Sequence, residues 1–140
     1  MAIMAWYLVR HKRSVEAVEL ISGVFLTASL GLLLKSIVKI PRPENALVSI
    51  DGYGFPSIHS AVGIVLGAMI YVIFIRHLCL VNKKVLWDII LFILAFGLGV
   101  TRLILGVHSV GDVVGGYILG IVISSLVIYV SYRIMKPIKR

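Results

Sequence analysis

The stretch Leu20–Leu34, LISGVFLTASLGLLL, contains fifteen consecutive residues without a charged side chain. Extended to residues 14–37, it is long enough to cross the hydrocarbon core of a bilayer, which takes about 20 residues of helix. Three more mainly apolar segments follow, at 59–75, 85–105 and 109–132. The sequence therefore predicts an all-α fold, an integral membrane bundle of four transmembrane helices.

The composition agrees with a membrane protein. Hydrophobic residues make up 60% of the chain, whereas an ordinary soluble domain is about 45–50% apolar. A length of 140 residues predicts one domain over 1–140. The segment Met1–Val9 is apolar but too short to span, and with Trp6 and Tyr7 it predicts a short interfacial segment. The single Cys79 excludes an internal disulfide.

The basic residues are unequally divided between the two ends of the predicted helices. Ten of the fourteen lie on one side, and an excess of Lys and Arg marks the cytoplasmic side of a membrane protein. These ten are Arg10, Lys12, Arg13, Arg76, Lys83, Lys84, Arg133, Lys136, Lys139 and Arg140. The topology accounts for the net charge of +8, so we expect no nucleic-acid partner. We expect a multi-pass protein of the cell membrane with both termini in the cytoplasm.

Three short motifs carry most of the polar chemistry of the chain. They are Lys35 with Arg42-Pro43 after six intervening residues, Pro56-Ser57-Ile58-His59, and Arg102 with His108 after five intervening residues and Asp112 after three more. A charge in such an apolar chain is unfavourable unless it has a partner or a function. The predicted topology places all three motifs at the extracytoplasmic ends of the helices.

Each motif taken alone also has a structural explanation. Lys35 and Arg42 fit two cations snorkelling at an interface, Ser57 fits a helix N-cap, and Arg102 with Asp112 fits an ion pair. Taken together, the motifs supply cations and a helix start for a phosphate, two histidines, and a carboxylate that can orient one of them. This combination is typical of a site that attacks phosphorus.

In this order, the motifs Lys-x6-Arg-Pro, Pro-Ser-x-His and Arg-x5-His-x3-Asp resemble the three signature motifs of the type 2 phosphatidic acid phosphatase superfamily. The resemblance covers residues 35–112 and the helices that frame them. Two positions depart from it: Ile58 stands where the family usually has Gly, and Thr101 where it usually has Ser. Membrane members commonly have six helices with the motifs on the last four, so this chain resembles their catalytic core.

The resemblance implies a lipid phosphatase and assigns its residues. It makes His108 a nucleophile that forms a phosphohistidine, Asp112 its orienting partner, and His59 the acid and then the base. The implied phosphate-binding residues are Lys35, Arg42, Ser57 and Arg102. Three cations can neutralise a phosphate without a metal, and the other acidic residues show no ligand spacing. We therefore expect neither a metal nor another cofactor.

The expected partners are the bilayer and a lipid phosphate or diphosphate. The family's membrane members act on phosphatidate, phosphatidylglycerophosphate, polyprenyl diphosphates and lipid A phosphates. An outward-facing site with three cations favours a polyprenyl diphosphate, as in carrier-lipid recycling, with phosphatidylglycerophosphate or phosphatidate as the alternative. Two other classes stay open: an inactive lipid-binding membrane protein, and a transporter or channel, which would need charge nearer the bilayer midplane.

Overall fold

A computed structural model of the chain describes residues 6, 8, 10, 13–48, 50–77 and 84–135. In this part of the chain all regular structure is α-helical, which confirms the predicted fold class. Within the described residues, four helices have both ends defined: α1, Ser14–Val38; α2, Ile58–His77; α3, Lys84–Ile104; and α4, Val110–Met135. The largest difference from the predicted bounds is at the end of α4, which reaches residue 135 instead of 132.

Three of the helices, α1, α3 and α4, are long and apolar enough to cross a membrane. Helix α2 has 20 residues, which corresponds to about 30 Å at 1.5 Å per residue. A helix satisfies its own backbone hydrogen bonds, which is what a bilayer demands of a spanning segment. The predicted interfacial segment Met1–Val9 lies mostly outside the described residues, as does Cys79. Of its two predicted anchors, Trp6 is exposed, and Tyr7 lies outside the described part.

Helix α2 lies at the centre of the bundle and packs on all three other helices. The buried core side chains between α1, α2 and α4 are Leu20, Val65, Met69, Ile123 and Val127. Glycines let the backbones approach closely. A Cβ at Gly120 would lie 2.6 Å from the carbonyl oxygen of Ala61, and one at Gly63 would lie 2.6 Å from that of Ala95. Small residues at both positions therefore let α2 pack closely against its neighbours.

A tight turn joins α3 to α4. Gly106 has a φ of +66°, in the left-handed region that glycine adopts without strain. The N–H of Val107 donates to the carbonyl of Arg102 at 3.2 Å, and the N–H of Leu47 donates to the carbonyl of Leu105 at 3.0 Å. The turn therefore holds both the end of α3 and the long loop between α1 and α2.

Candidate active site

His108 and Asp112 form a buried pair at the start of α4. His108 Nδ1 lies 3.3 Å from Asp112 Oδ2, and the side chains are 3% and 2% exposed. The same Oδ2 accepts a hydrogen bond from the backbone N–H of Ser109 at 2.8 Å. In return, Ser109 Oγ accepts one from the N–H of Asp112 at 3.2 Å. This reciprocal arrangement is a capping box, so the start of the helix fixes the carboxylate that holds His108.

Arg42, in the loop between α1 and α2, reaches the other ring nitrogen. Its Nη1 donates to the carbonyl of Val107 at 2.9 Å and lies 3.2 Å from His108 Nε2. Because a guanidinium only donates, Nε2 must be the acceptor and Nδ1 must carry the ring proton. The buried Nε of Arg42 has no hydrogen-bond partner in the part of the chain described. Buried donors without partners are rare, so this N–H is available to an oxygen of a bound anion.

The surroundings of His108 keep its imidazole neutral. Burial lowers the pKa of His108 below its ordinary value of 6.5, and the Arg42 guanidinium lowers it further. The hydrogen bond with Asp112 acts in the opposite direction but does not reverse the shift. The neutral ring, with a lone pair on Nε2, is the form of histidine that can act as a nucleophile.

The start of α2 is tied to the start of α4. The N–H of Ser57 donates to the carbonyl of Asp112 at 2.9 Å. Ser57 Oγ accepts from the N–H of Ser60 at 3.4 Å and from Ser60 Oγ at 2.8 Å, which confirms the predicted N-cap. Both serines are fully buried. Two helix N-termini therefore meet beside His108, and their free N–H groups and dipoles favour an anion there.

Lys35, in the last turn of α1, holds the loop that precedes α2. Its Nζ donates to the carbonyls of Tyr53 at 2.6 Å and Gly54 at 2.8 Å. Gly54 in turn lies against the His108–Asp112 pair, since a Cβ at this position would be 2.8 Å from Asp112 Oδ2. The ammonium group is therefore bound to backbone carbonyls and positions the wall of the site next to Asp112.

Arg102 and His59 complete the predicted set. The only hydrogen bond of the Arg102 side chain within the described residues is a long one, 3.4 Å from Nε to Thr101 Oγ1. His59 is exposed at the start of α2. Arg102, Arg42 and Lys35 all lie close enough to act electrostatically on its ring. The structure thus brings all seven predicted residues to one end of the bundle.

The two departures from the family pattern are accommodated. A Cβ at Gly31 would lie 2.7 Å from Ile58 Cγ1, so the Ile58 side chain packs on α1 where that helix has a glycine. Thr101 Oγ1 donates to the carbonyl of Leu98 at 2.8 Å and accepts from Arg102. The threonine therefore supplies the same hydroxyl contacts that a serine would.

Three residues around the site were missed by the sequence reasoning. The spacing of Ser109 and Asp112 is that of a capping box, and this signal could have revealed the role of Ser109. Gly54 gave no signal in the sequence, because its contact with Asp112 joins segments that are far apart in the chain. Ser60 gave none either, because its hydrogen bond to Ser57 depends on the geometry of the helix.

Four apolar helices, three of them long enough to cross a membrane, carry a His–Asp pair, a second histidine and three cations at one end, which defines a helical membrane protein with a basic, histidine-containing cluster. The PAP2 superfamily matches this chain over residues 16–136. The chain belongs to the PAP2 superfamily, which confirms the family predicted from its motifs.

Two relatives match this chain, one by sequence and one by structure. The chain is 36% identical over 100 residues to phosphatidylglycerophosphatase B of Bacillus subtilis (strain 168), a match that covers 70% of this chain and 49% of the relative. It also resembles the crystal structure of the first transmembrane PAP2-type phosphatidylglycerolphosphate phosphatase from Bacillus subtilis. That match has a TM-score of 0.86 and 28% identity, and covers 96% of this chain and 68% of the other. The chain thus spans about half the length of the curated relative.

Proposed function

We propose that this protein is a membrane phosphatase of lipid phosphates that works through a covalent phosphohistidine. The observation that carries the proposal is the state of His108, whose Nδ1 is held by Asp112 while Nε2 accepts from Arg42. A histidine fixed in this tautomer can present the Nε2 lone pair to phosphorus. The phosphatase names of both relatives support the proposal.

The reaction has two steps. His108 Nε2 attacks phosphorus, and the N–P bond forms as the bond to the leaving oxygen breaks. His59 gives a proton to that oxygen. A water molecule then attacks the phosphohistidine, His59 takes its proton, and phosphate leaves with His108 free. Asp112 holds the Nδ1 proton throughout and stabilises the positive charge that the ring acquires.

Fixed cations and helix starts neutralise the phosphate oxygens in this mechanism. Arg102 and the free Nε–H of Arg42 donate directly, Ser57 contributes through the helix start that it caps, and Lys35 contributes its charge from the loop wall. In many phosphoryl-transfer sites Mg²⁺ has this task. Within the described residues no three His, Cys, Asp or Glu side chains lie close enough together to hold a metal ion. No step above uses one.

Phosphatidylglycerophosphate is the substrate that we place first. Both relatives are named as phosphatases of this lipid. The arrangement of the cations supports the same choice. Lys35 is bound to two carbonyls and Arg42 is shared with His108, so Arg102 is the least committed of the three. A diphosphate needs more neutralisation than this arrangement readily supplies. A polyprenyl diphosphate, favoured by the sequence alone, comes second.

The site is best placed at the extracytoplasmic end of the bundle, with both termini in the cytoplasm. The ten-to-four division of Lys and Arg supports this orientation. A lipid would reach the site by lateral diffusion, with its headgroup at the interface and its chains in the hydrocarbon. The charged groups of the site cluster at helix ends, which argues against a transporter with charge at the midplane.

Phosphate release from purified protein in detergent tests the proposal. Phosphatidylglycerophosphate, phosphatidate and a polyprenyl diphosphate are compared by kcat/KM, which also decides the substrate. We expect His108→Ala to reduce turnover by roughly 10⁴-fold or more. His77→Ala, at the opposite end of α2, is the matched control and should retain activity. Release that survives His108→Ala refutes the mechanism. A wild-type protein inactive on all three substrates favours the inactive lipid-binding class.

A further inference from the structure

The position of Arg102 relative to His108 depends on helices α3 and α4, each of which packs mainly on α2. Arg102 lies in the last turn of α3, and Asp112 lies in the first turn of α4. Helices α3 and α4 pack on each other far less than either packs on α2. Within the described residues the Arg102 side chain hydrogen-bonds only to the adjacent Thr101. Its guanidinium is therefore placed by the position of α3 and not by a direct bond to α4.

Tyr117 bridges the two helices. Its hydroxyl, on α4, donates to the carbonyl of Phe96, on α3, at 2.6 Å. The two rings also pack, with centroids 4.8 Å apart and planes tilted by 57°. A tyrosine in an apolar bundle keeps its ring in hydrophobic contact while its hydroxyl takes a specific partner. The contact therefore fixes both the spacing and the register of α3 against α4.

Gly99 provides the space for this bridge. A Cβ at position 99 would overlap the hydroxyl and ring of Tyr117. By contrast, a Cβ at Gly97 would meet nothing within 4 Å. Gly99 precedes Arg102 by three residues, about one helical turn, and Tyr117 follows Asp112 by five residues, about 7.5 Å along the axis. The contact between Tyr117 and α3 thus lies one to two helical turns from the site. It links the helix that carries Arg102 to the helix that begins beside His108.

We propose that Tyr117 is a positioning residue that fixes the Arg102 guanidinium relative to His108 through its contact with Phe96 and Gly99. The inference rests on the proposed phosphatase function. A guanidinium displaced by a fraction of an ångström still carries its charge but binds the transferring phosphoryl group less well. Tyr117 therefore acts on phosphate binding and transfer without touching the substrate.

Two pairs of variants test this on the full chain. Tyr117→Phe keeps the ring and removes the hydroxyl, and we expect kcat/KM to fall by about threefold to tenfold, the range expected for one hydrogen bond. Tyr129→Phe, an exposed tyrosine of the same helix, should leave kcat/KM unchanged. Gly99→Ala should lower kcat/KM at least as much, whereas Gly97→Ala should not. Equal values within either pair overturn the proposal.

A double-mutant cycle separates positioning from general destabilisation. If Tyr117 acts through Arg102, Tyr117→Phe should have little further effect on kcat/KM in an Arg102→Lys background. Additive effects of the two substitutions overturn the proposal.

The contact between α3 and α4 can also be tested by a distance measurement that does not need enzyme turnover. With Cys79→Ser, spin labels at Leu98→Cys and Val114→Cys, both exposed on their helices, report the α3–α4 distance by dipolar EPR. The distance distribution should broaden in Tyr117→Phe and stay narrow in Tyr129→Phe. An unchanged distribution in Tyr117→Phe overturns the proposal. If the wild type releases no phosphate, the proposed function fails, and the label distances still decide whether the bridge exists.

Discussion

The Asp112 carboxylate caps the start of α4 and holds His108, and replacing it by asparagine should affect these two tasks to different degrees. Oδ2 accepts from both the Ser109 N–H at 2.8 Å and His108 Nδ1 at 3.3 Å, and an amide oxygen can take its place with little change of shape. A hydrogen bond to a charged group contributes about 1.5–3 kcal/mol against about 0.5–1.5 for a neutral one. The loss of a negative charge near the α4 N-terminus adds about 0.3–1 kcal/mol to this loss of stability. We therefore expect the free energy of unfolding to fall by about 1–3 kcal/mol.

The rate should fall much further. An asparagine cannot stabilise the positive charge on His108, and its amide group can turn to hold the wrong tautomer, with the proton on Nε2. By analogy with other orienting carboxylates, we expect kcat to drop by roughly 10²–10⁴-fold, which is about 3–5.5 kcal/mol in the activation barrier.

Phosphate release and thermal unfolding of the same purified preparations measure both effects. The matched control is Ser109→Ala, which removes the other half of the capping box and leaves the carboxylate charge. It should lose about 1 kcal/mol of stability and keep kcat within about fivefold of the wild type, the effect of about 1 kcal/mol. A loss of rate in Asp112→Asn no larger than in Ser109→Ala would show that Asp112 only caps α4.

Three further predictions concern pH, metals and topology. Because the pKa of His108 is lowered, kcat/KM should stay high below pH 6.5 and fall as the pH drops through that lowered pKa. Arg42→Gln removes a cation that disfavours the protonated ring, so it should raise the pKa and move this acid limb to higher pH in a pH–rate profile. Activity should survive EDTA and be inhibited by vanadate; loss in chelator restored by Mg²⁺ contradicts the cation-based mechanism. A cysteine at Asn45, with Cys79→Ala, should react with an impermeant thiol reagent in intact cells, and labelling only after lysis refutes the orientation.

The helices could be predicted from the sequence because hydrophobic length dominates in a membrane. The uncharged run Leu20–Leu34 leaves no alternative to a spanning helix. The tight turn before α4 was also predictable, because Gly106 separates two apolar segments and tolerates a positive φ. The predicted end of α4 was three residues short, at 132 instead of 135. Tyr132 and Arg133 are amphipathic, so they mark the membrane interface, which the helix extends beyond.

The meeting of the seven residues at one end of the bundle could be predicted, but the hydrogen-bond partners of the three cations could not. The topology alone brings the three motifs to the same end of the bundle. That Lys35 binds the carbonyls of Tyr53 and Gly54 depends on the path of a loop, and loops have no hydrophobic periodicity to reveal their course. The same holds for the contact between Arg42 and His108. The sequence alone gave all three cations the same role in binding phosphate, and this assumption favoured a diphosphate substrate.

In the proposed mechanism, the different hydrogen-bond partners of the three cations connect phosphate binding to activation of His108. Without a phosphate, Arg42 Nη1 donates to the Val107 carbonyl and to His108 Nε2, while its Nε–H has no acceptor among the described residues. A phosphate oxygen offers that Nε–H a charged acceptor, and charge-assisted bonds are about twice as strong as neutral ones. The guanidinium can then exchange Nε2 for phosphate oxygens at a net gain. In the proposed mechanism, the cation that binds the phosphate would therefore also expose His108 Nε2, so that its lone pair becomes free when phosphorus is within reach.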